Sequence, residues 1–180
     1  MKELSIKIKK DGTILFVLGI FACAILTICS CKNKTYDDKI CRCFIFPTSS
    51  INNNFYIEIS NNGIIKTSLG IRSKTILPVI FKDAKINPDE IQFLRKIQLQ
   101  KKKKLHNTDM IKIQKSLLNL KDIECKNFFV QSWANDAWGI ILLAGDKQYI
   151  FLYSEHSNDE LGKIVKLLVN SSPIQIDMNK

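Results

Sequence analysis

Residues 13–31 read TILFVLGIFACAILTICSC, nineteen positions with no charge and fifteen apolar side chains. Ahead of them stands MKELSIKIKKDG, carrying Lys2, Lys7, Lys9 and Lys10. A basic start followed by an uncharged apolar run is an export signal. A run of about 18 or more such residues is also long enough to cross a bilayer. Residues 1–31 therefore read as a signal peptide or a retained anchor. The remaining chain, about 150 residues, is long enough for one core. Counting basic residues does not separate the two readings. Four lie on the N-side, and Lys32, Lys34, Lys39 and Arg42 lie on the C-side.

The rest of the chain has ordinary globular composition. Apolar residues make up 46% and charged residues 24%. That excludes a largely disordered chain, a fibrous repeat and a multi-span transporter. The formal net charge is +10, from 27 basic and 17 acidic residues. The histidines are His106 and His156, which thins the field for metal hydrolases and histidine-based acid–base enzymes.

The apolar run ends in Ile28-Cys29-Ser30-Cys31. This resembles a bacterial lipobox: an aliphatic residue, a tolerant position, a small residue, then cysteine. The resemblance implies that Cys31 is acylated and becomes the first residue of the mature protein. Cys29 departs from the common pattern, in a slot more often held by a small residue. Each buried methylene of an acyl chain adds about 0.8 kcal/mol, and several chains make a durable anchor. Residues 32–38 then read as a polar tether, and 39–180 as a single domain. The alternative is an uncleaved anchor helix in which Cys23, Cys29 and Cys31 are apolar fillers. Either way the domain is expected outside the cytoplasm, at the cell membrane or the outer membrane. The last 50 or so residues also loosely resemble the ends of small uncharacterised bacterial lipoproteins, which implies no activity and no site residues.

Outside the apolar run the cysteines are Cys41, Cys43 and Cys125. An exported domain permits disulfides. Cys41 and Cys43 stand roughly 6.6 Å apart along one side of a strand, so a bridge between them is strained. One bridge from Cys125 to either of them is the expected limit. The pair does not have the spacing of a zinc site, and no metal or cofactor is expected.

Strands are expected over 39–46, over 55–60, where Phe55, Ile57 and Ile59 share a face, and over the return IIKTSLG. Asn61-Asn62-Gly63 is the hairpin turn between the last two, because Asn and Gly accept positive φ. Residues 76–81 hold Pro78 and suit an edge or a loop crossing. The run Asn87-Pro88-Asp89-Glu90 predicts a helix start, with Ile91, Phe93, Leu94 and Ile97 on one arc and an end near Gln100. Thr108 is expected to cap a second helix, with Met110, Ile111, Ile113, Leu117, Leu118 and Leu120 on one side. Residues 127–133 are a strand candidate. Residues 136–154 read as a hairpin turning at Gly145-Asp146, with its first strand central. A capping box from Ser157 to Glu160 opens a last helix carrying Leu161, Ile164, Val165 and Leu168. The expected fold is α+β: a mostly antiparallel sheet built from hairpins, with two to three helices packed on one face.

No sequence motif of serine hydrolases, nucleotide binders or zinc proteases is present. Asp136, Glu155 and His156 are the nearest approach to acid–base groups, in turn and loop contexts. No catalytic residue is expected, and the chain reads as a non-enzyme. The lysines at 101–104 read as a solvated helix end. Trp133, Trp138, Tyr149, Phe151 and Tyr153 suit strand packing. Of these, Trp138, Tyr149 and Tyr153 are the candidate ligand surface. The sequence thus predicts a membrane-tethered envelope protein that binds a protein or glycan, an immunity-type protein being one version, and has no nucleic-acid partner. An envelope enzyme with an unrecognised site is the alternative.

Overall fold

The computed structural model describes residues 38–81, 85–87, 89–123 and 137–178. Cys31, Cys125, Trp133, Asp136 and the strand expected over 127–133 lie outside the described residues. Asp38–Lys180 is one compact unit, a mixed α+β fold around a six-stranded antiparallel sheet. Its strands are β1 (Lys39–Pro47), β2 (Asn54–Ser60), β3 (Ile64–Arg72), β4 (Leu94–Lys104), β5 (Trp138–Ala144) and β6 (Lys147–Leu152). Their spatial order is β4-β3-β2-β1-β5-β6. The helices are α1 (Ile76–Phe81), α2 (Asn107–Asn119), α3 (Tyr153–His156) and α4 (Glu160–Ser171).

The hairpins form for the local reasons expected. Gly63 takes φ 75° in the β2–β3 turn, and its amide donates to the Ser60 carbonyl at 2.8 Å. Gly145 takes φ 61° between β5 and β6. Both need a left-handed backbone that glycine adopts without steric cost. With the first turn placed, strand alternation fixes the faces. Cys41, Cys43, Ile45, Phe55, Ile57, Ile59, Ile65, Ile140, Leu142, Tyr149 and Phe151 form one cluster. Phe44, Phe46, Ile141, Leu143, Ile150 and Leu152 form a second on the opposite face. β1 and β5 are buried on both faces, in keeping with the apolar runs 43–46 and 140–143.

The longer helices contribute side chains to the first cluster. Leu161, Ile164, Val165 and Leu168 of α4 are buried there, with Ile113 of α2. Asp159 caps α4, its carboxylate accepting from the Gly162 amide at 3.0 Å. The cap is therefore Asp159 and not Ser157. A Cβ on Gly162 would stand 2.0 Å from the His156 carbonyl oxygen, so no side chain fits there. At the far end of α4, Ser172 Oγ and Thr67 Oγ1 are hydrogen-bonded at 3.0 Å, tying the helix exit to β3.

Four expectations are corrected. Residues 76–81 form the short helix α1; Pro78 sits in its first turn, where a missing amide costs no hydrogen bond. Ile76 of α1 belongs to the second cluster. Residues 94–104 are strand and not helix. The capping chemistry at Asn87 exists, but it closes a single turn. The Glu90 and Ile91 amides both donate to the Asn87 carbonyl at 3.1 Å, and the Asp89 amide to its side chain at 3.2 Å. The chain then straightens to pair with β3, a tertiary demand that overrides local preference. Finally, α2 is preceded by His106 rather than capped by Thr108, and its apolar residues divide. Ile111 and Leu118 are 63% and 55% exposed, whereas Ile113 and Leu120 are buried. At 100° per residue positions 111 and 118 point away from 113 and 120, so one side cannot hold them all.

Ile76, Ile86, Ile91 and Phe93, from the described residues between β3 and β4, pack on the second face. Ile86 donates its amide to the Gln148 side chain of β6 at 2.7 Å. Asp89 accepts from Arg42 of β1 at 3.1 Å. Phe93 stacks on Tyr56 of β2 at 4.9 Å between ring centroids. These residues seal the inner half of the face and stop short of the outer half.

Candidate functional site

The outer half of the second face holds the candidate site. Cross-strand register builds it in rows. In the first row Arg42, Glu58, Lys66 and Lys102 stand opposite one another across β1, β2, β3 and β4. In the second, Phe44, Tyr56, Ser68 and Gln100 do the same. Opposite charges on facing strands attract, so the first row is internally matched over its inner members. Glu58 Oε2 is 2.5 Å from Lys66 Nζ, and Glu58 Oε1 is 3.9 Å from Arg42 Nε. Arg42 and Glu58 are nearly buried, and Arg42 also holds Asp89. Gln100 donates to the Ser68 hydroxyl at 2.8 Å.

Between these rows and the returning segment at 89–93 lies a cleft of about 250 Å3. Its floor is Tyr56 and Phe93, and its charged wall is Arg42, Glu58, Lys66 and Asp89. The two carboxylates are held by cations, an arrangement suited to orienting a polar ligand group. Along the outer margin runs β4. Every residue of β4 after Leu94 is exposed. Ile97 and Leu99, at 52% and 40%, are among the largest exposed apolar side chains. The lysines at 101–104 belong to this strand, so they do not sit at a helix end.

Of the aromatic residues singled out in the sequence, Trp138, Tyr149, Phe151 and Tyr153 do not line this cleft. Tyr149 is fully buried, and its hydroxyl donates to the Leu120 carbonyl at 2.7 Å. That anchors β6 to the turn after α2, and Tyr149 lines a separate cleft with Ile40, Leu117 and Leu118. Trp138 and Tyr153 are half-buried and pack on the first cluster, Trp138 with its ring 6.4 Å from Phe55. His156 Nδ1 lies 2.6 Å from Asp159 Oδ2, with the ring edge-on to Phe151 at 5.2 Å. His156 thus braces the carboxylate that caps α4.

Cys41 and Cys43 are free thiols on the face of β1 that looks toward α2 and α4. Burial pushes the Cys41 thiol up to about 12, and burial with the neighbouring Cys41 raises Cys43 well above its ordinary range. Both behave as small core residues. Among the described residues no group of three or more His, Cys, Asp or Glu side chains is placed to hold a metal. No described helix is long and apolar enough to cross a membrane.

Sequence reasoning missed Arg42, Glu58, Lys66 and Asp89. A signal for three of them was present. Glu58 and Lys66 occupy the polar phase of β2 and β3, Arg42 is the one charge between Ile40 and Phe46 of β1, and the turn at 61–63 places 58 opposite 66. Asp89 carried only a helix-start signal.

No protein-family model and no curated protein matches the chain.

Proposed function

We propose that the protein is a membrane-tethered cell-envelope protein that acts by binding another envelope macromolecule, a protein rather than a glycan. The observation that carries the binding role is β4, an eleven-residue terminal strand exposed along its length beside a charged cleft. Natural sheets keep terminal strands short or covered, and one that is long and open serves recognition. An immunity-type protein that neutralises a toxin by surface contact is one concrete form of this role. The tether rests on the lipobox-like Ile28-Cys29-Ser30-Cys31, with Cys31 as the acylated residue. An uncleaved anchor would serve the same end.

The tether is tested by expression in a Gram-negative host with labelled palmitate. The parent chain takes up label and Cys31→Ala does not. Label that persists in the variant, or none in the parent, defeats the lipid assignment. The binding role is tested in the same cells by placing a photo-crosslinking residue at Leu99, with the exposed Lys166 of α4 as control. Adducts are expected at Leu99 alone.

A further inference from the structure

We infer that β4 accepts an acidic, extended segment of a partner protein as an additional strand of the sheet. The inference rests on the binding role proposed above and specifies its partner. The lysine half of β4 is built as a template. From Leu69↔Leu99 to Ile64↔Lys104 its register with β3 is continuous. The irregularities fall at the other end, between Leu69 and Gly70 and between Ile71 and Arg72. Bulges and edge lysines are both devices against unwanted pairing; this half lacks a bulge, and its lysines repel unmatched strands while leaving an acidic one to fit. No described strand pairs with the outer side of β4.

Charge then selects the occupant. Lys101 and Lys103 face Thr67 and Ile65, on the side of α2 and α4. Lys102 and Lys104 face Lys66 and Ile64, on the side of the cleft, where Lys104 also donates to the Asn62 carbonyl. Cations therefore flank both faces of any strand laid along β4. Each would stand opposite a side chain of that strand on the same face, where unlike charges attract and like charges repel. A second copy of β4 would set lysine against lysine, so self-pairing is opposed. A membrane surface is planar and would meet the lysines of one face only. An acidic strand meets all of them. Leu99 and Ile97 continue the strand with apolar side chains, so the fitting segment carries a short acidic run followed by apolar residues.

The test uses the full chain in non-ionic detergent and a fluorescent peptide of four glutamates followed by alternating threonine and valine. Binding is expected, with slowed hydrogen exchange at the amides of 97–103. Lys101→Glu/Lys103→Glu should weaken it at least about tenfold, the sum of two cross-strand pairs turned repulsive. The same variant should gain affinity for a peptide with lysines in place of the glutamates. Lys101→Gln/Lys103→Gln gives an intermediate loss if the double reversal disturbs the fold. A peptide of equal charge with prolines replacing the threonines lacks amides for the ladder and should not bind. The inference is overturned by failure of the acidic peptide to bind, by binding without protection of β4, or by equal binding of the proline peptide or of phosphatidylglycerol vesicles. If the peptide fails while the Leu99 crosslinker still forms adducts in cells, the acidic strand is wrong and the binding role stands. If both fail, both fall.

Discussion

At one end of the sheet, β6 buries Tyr149, Ile150, Phe151 and Leu152 on alternating faces; at the other, β4 exposes every residue after Leu94. Both are terminal strands of one ladder, yet β4 gives the core only Leu94. β6 is held by side-chain packing against two clusters, β4 by its backbone ladder to β3 and by Leu94 at its start. The contrast separates a stabilising region from a presenting one.

The strongest way to break this comparison is to empty core sites on one side and truncate the other. Phe151→Ala should cost about 3–5 kcal/mol and Leu168→Ala about 2–5 kcal/mol, since both side chains are fully buried. Leu99→Ala on β4 and Lys166→Ala on the outer face of α4 should each change stability by no more than about 0.5 kcal/mol. Urea unfolding of residues 38–180 measures all four. Comparable midpoints for Phe151→Ala and Leu99→Ala would erase the distinction between the two ends.

A smaller effect sharpens the account of β6. Tyr149→Phe removes one buried hydrogen bond to the Leu120 carbonyl and keeps the ring. A loss of about 0.5–1.5 kcal/mol is expected, with no change in the denaturant slope. An unchanged midpoint would mean that packing alone seats this strand.

The smallest effect is alkaline. Burial raises Cys41 and Cys43, so the folded protein keeps both thiols protonated where the unfolded chain ionises. Their contribution is intact below the ordinary value of 9.0 and declines as pH rises toward about 12. Iodoacetamide labelling at pH 9, mapped by mass spectrometry, should find both sites protected until urea unfolds the domain. Rapid labelling in the native protein would place these thiols outside the core.

The same contrast governs what could be read from residues alone. β1, β2, β3, β5 and β6 announce themselves through alternation or continuous apolar runs bounded by Asn61-Asn62-Gly63 and Gly145-Asp146. α4 carries its buried side in Leu161, Ile164, Val165 and Leu168. These elements are specified by what each buries. β4 buries almost nothing, so its sequence holds no burial pattern to read, and its lysines disfavour strand as an isolated preference. It is a strand because β3 offers it a ladder. The site behaves likewise. Glu58 and Lys66 could be placed from strand phase and one turn, but the contact of Asp89 with Arg42, 47 positions away, follows from tertiary structure alone.

The position of β1 carries a consequence for how the domain is made. It precedes the other strands of the domain along the chain, yet it lies between β2 and β5, with Arg42 opposite Leu143. During synthesis its ladder to β2 can close early. The other side, with Phe44 and Phe46 beside it, stays open until the residues of β5 emerge. Pairings so distant in sequence form slowly and leave aggregation-prone intermediates. In that interval β5 of a neighbouring nascent chain fits the gap as well as the chain's own. Crowded synthesis should therefore yield strand-exchanged dimers, and dilution or a holding chaperone should suppress them.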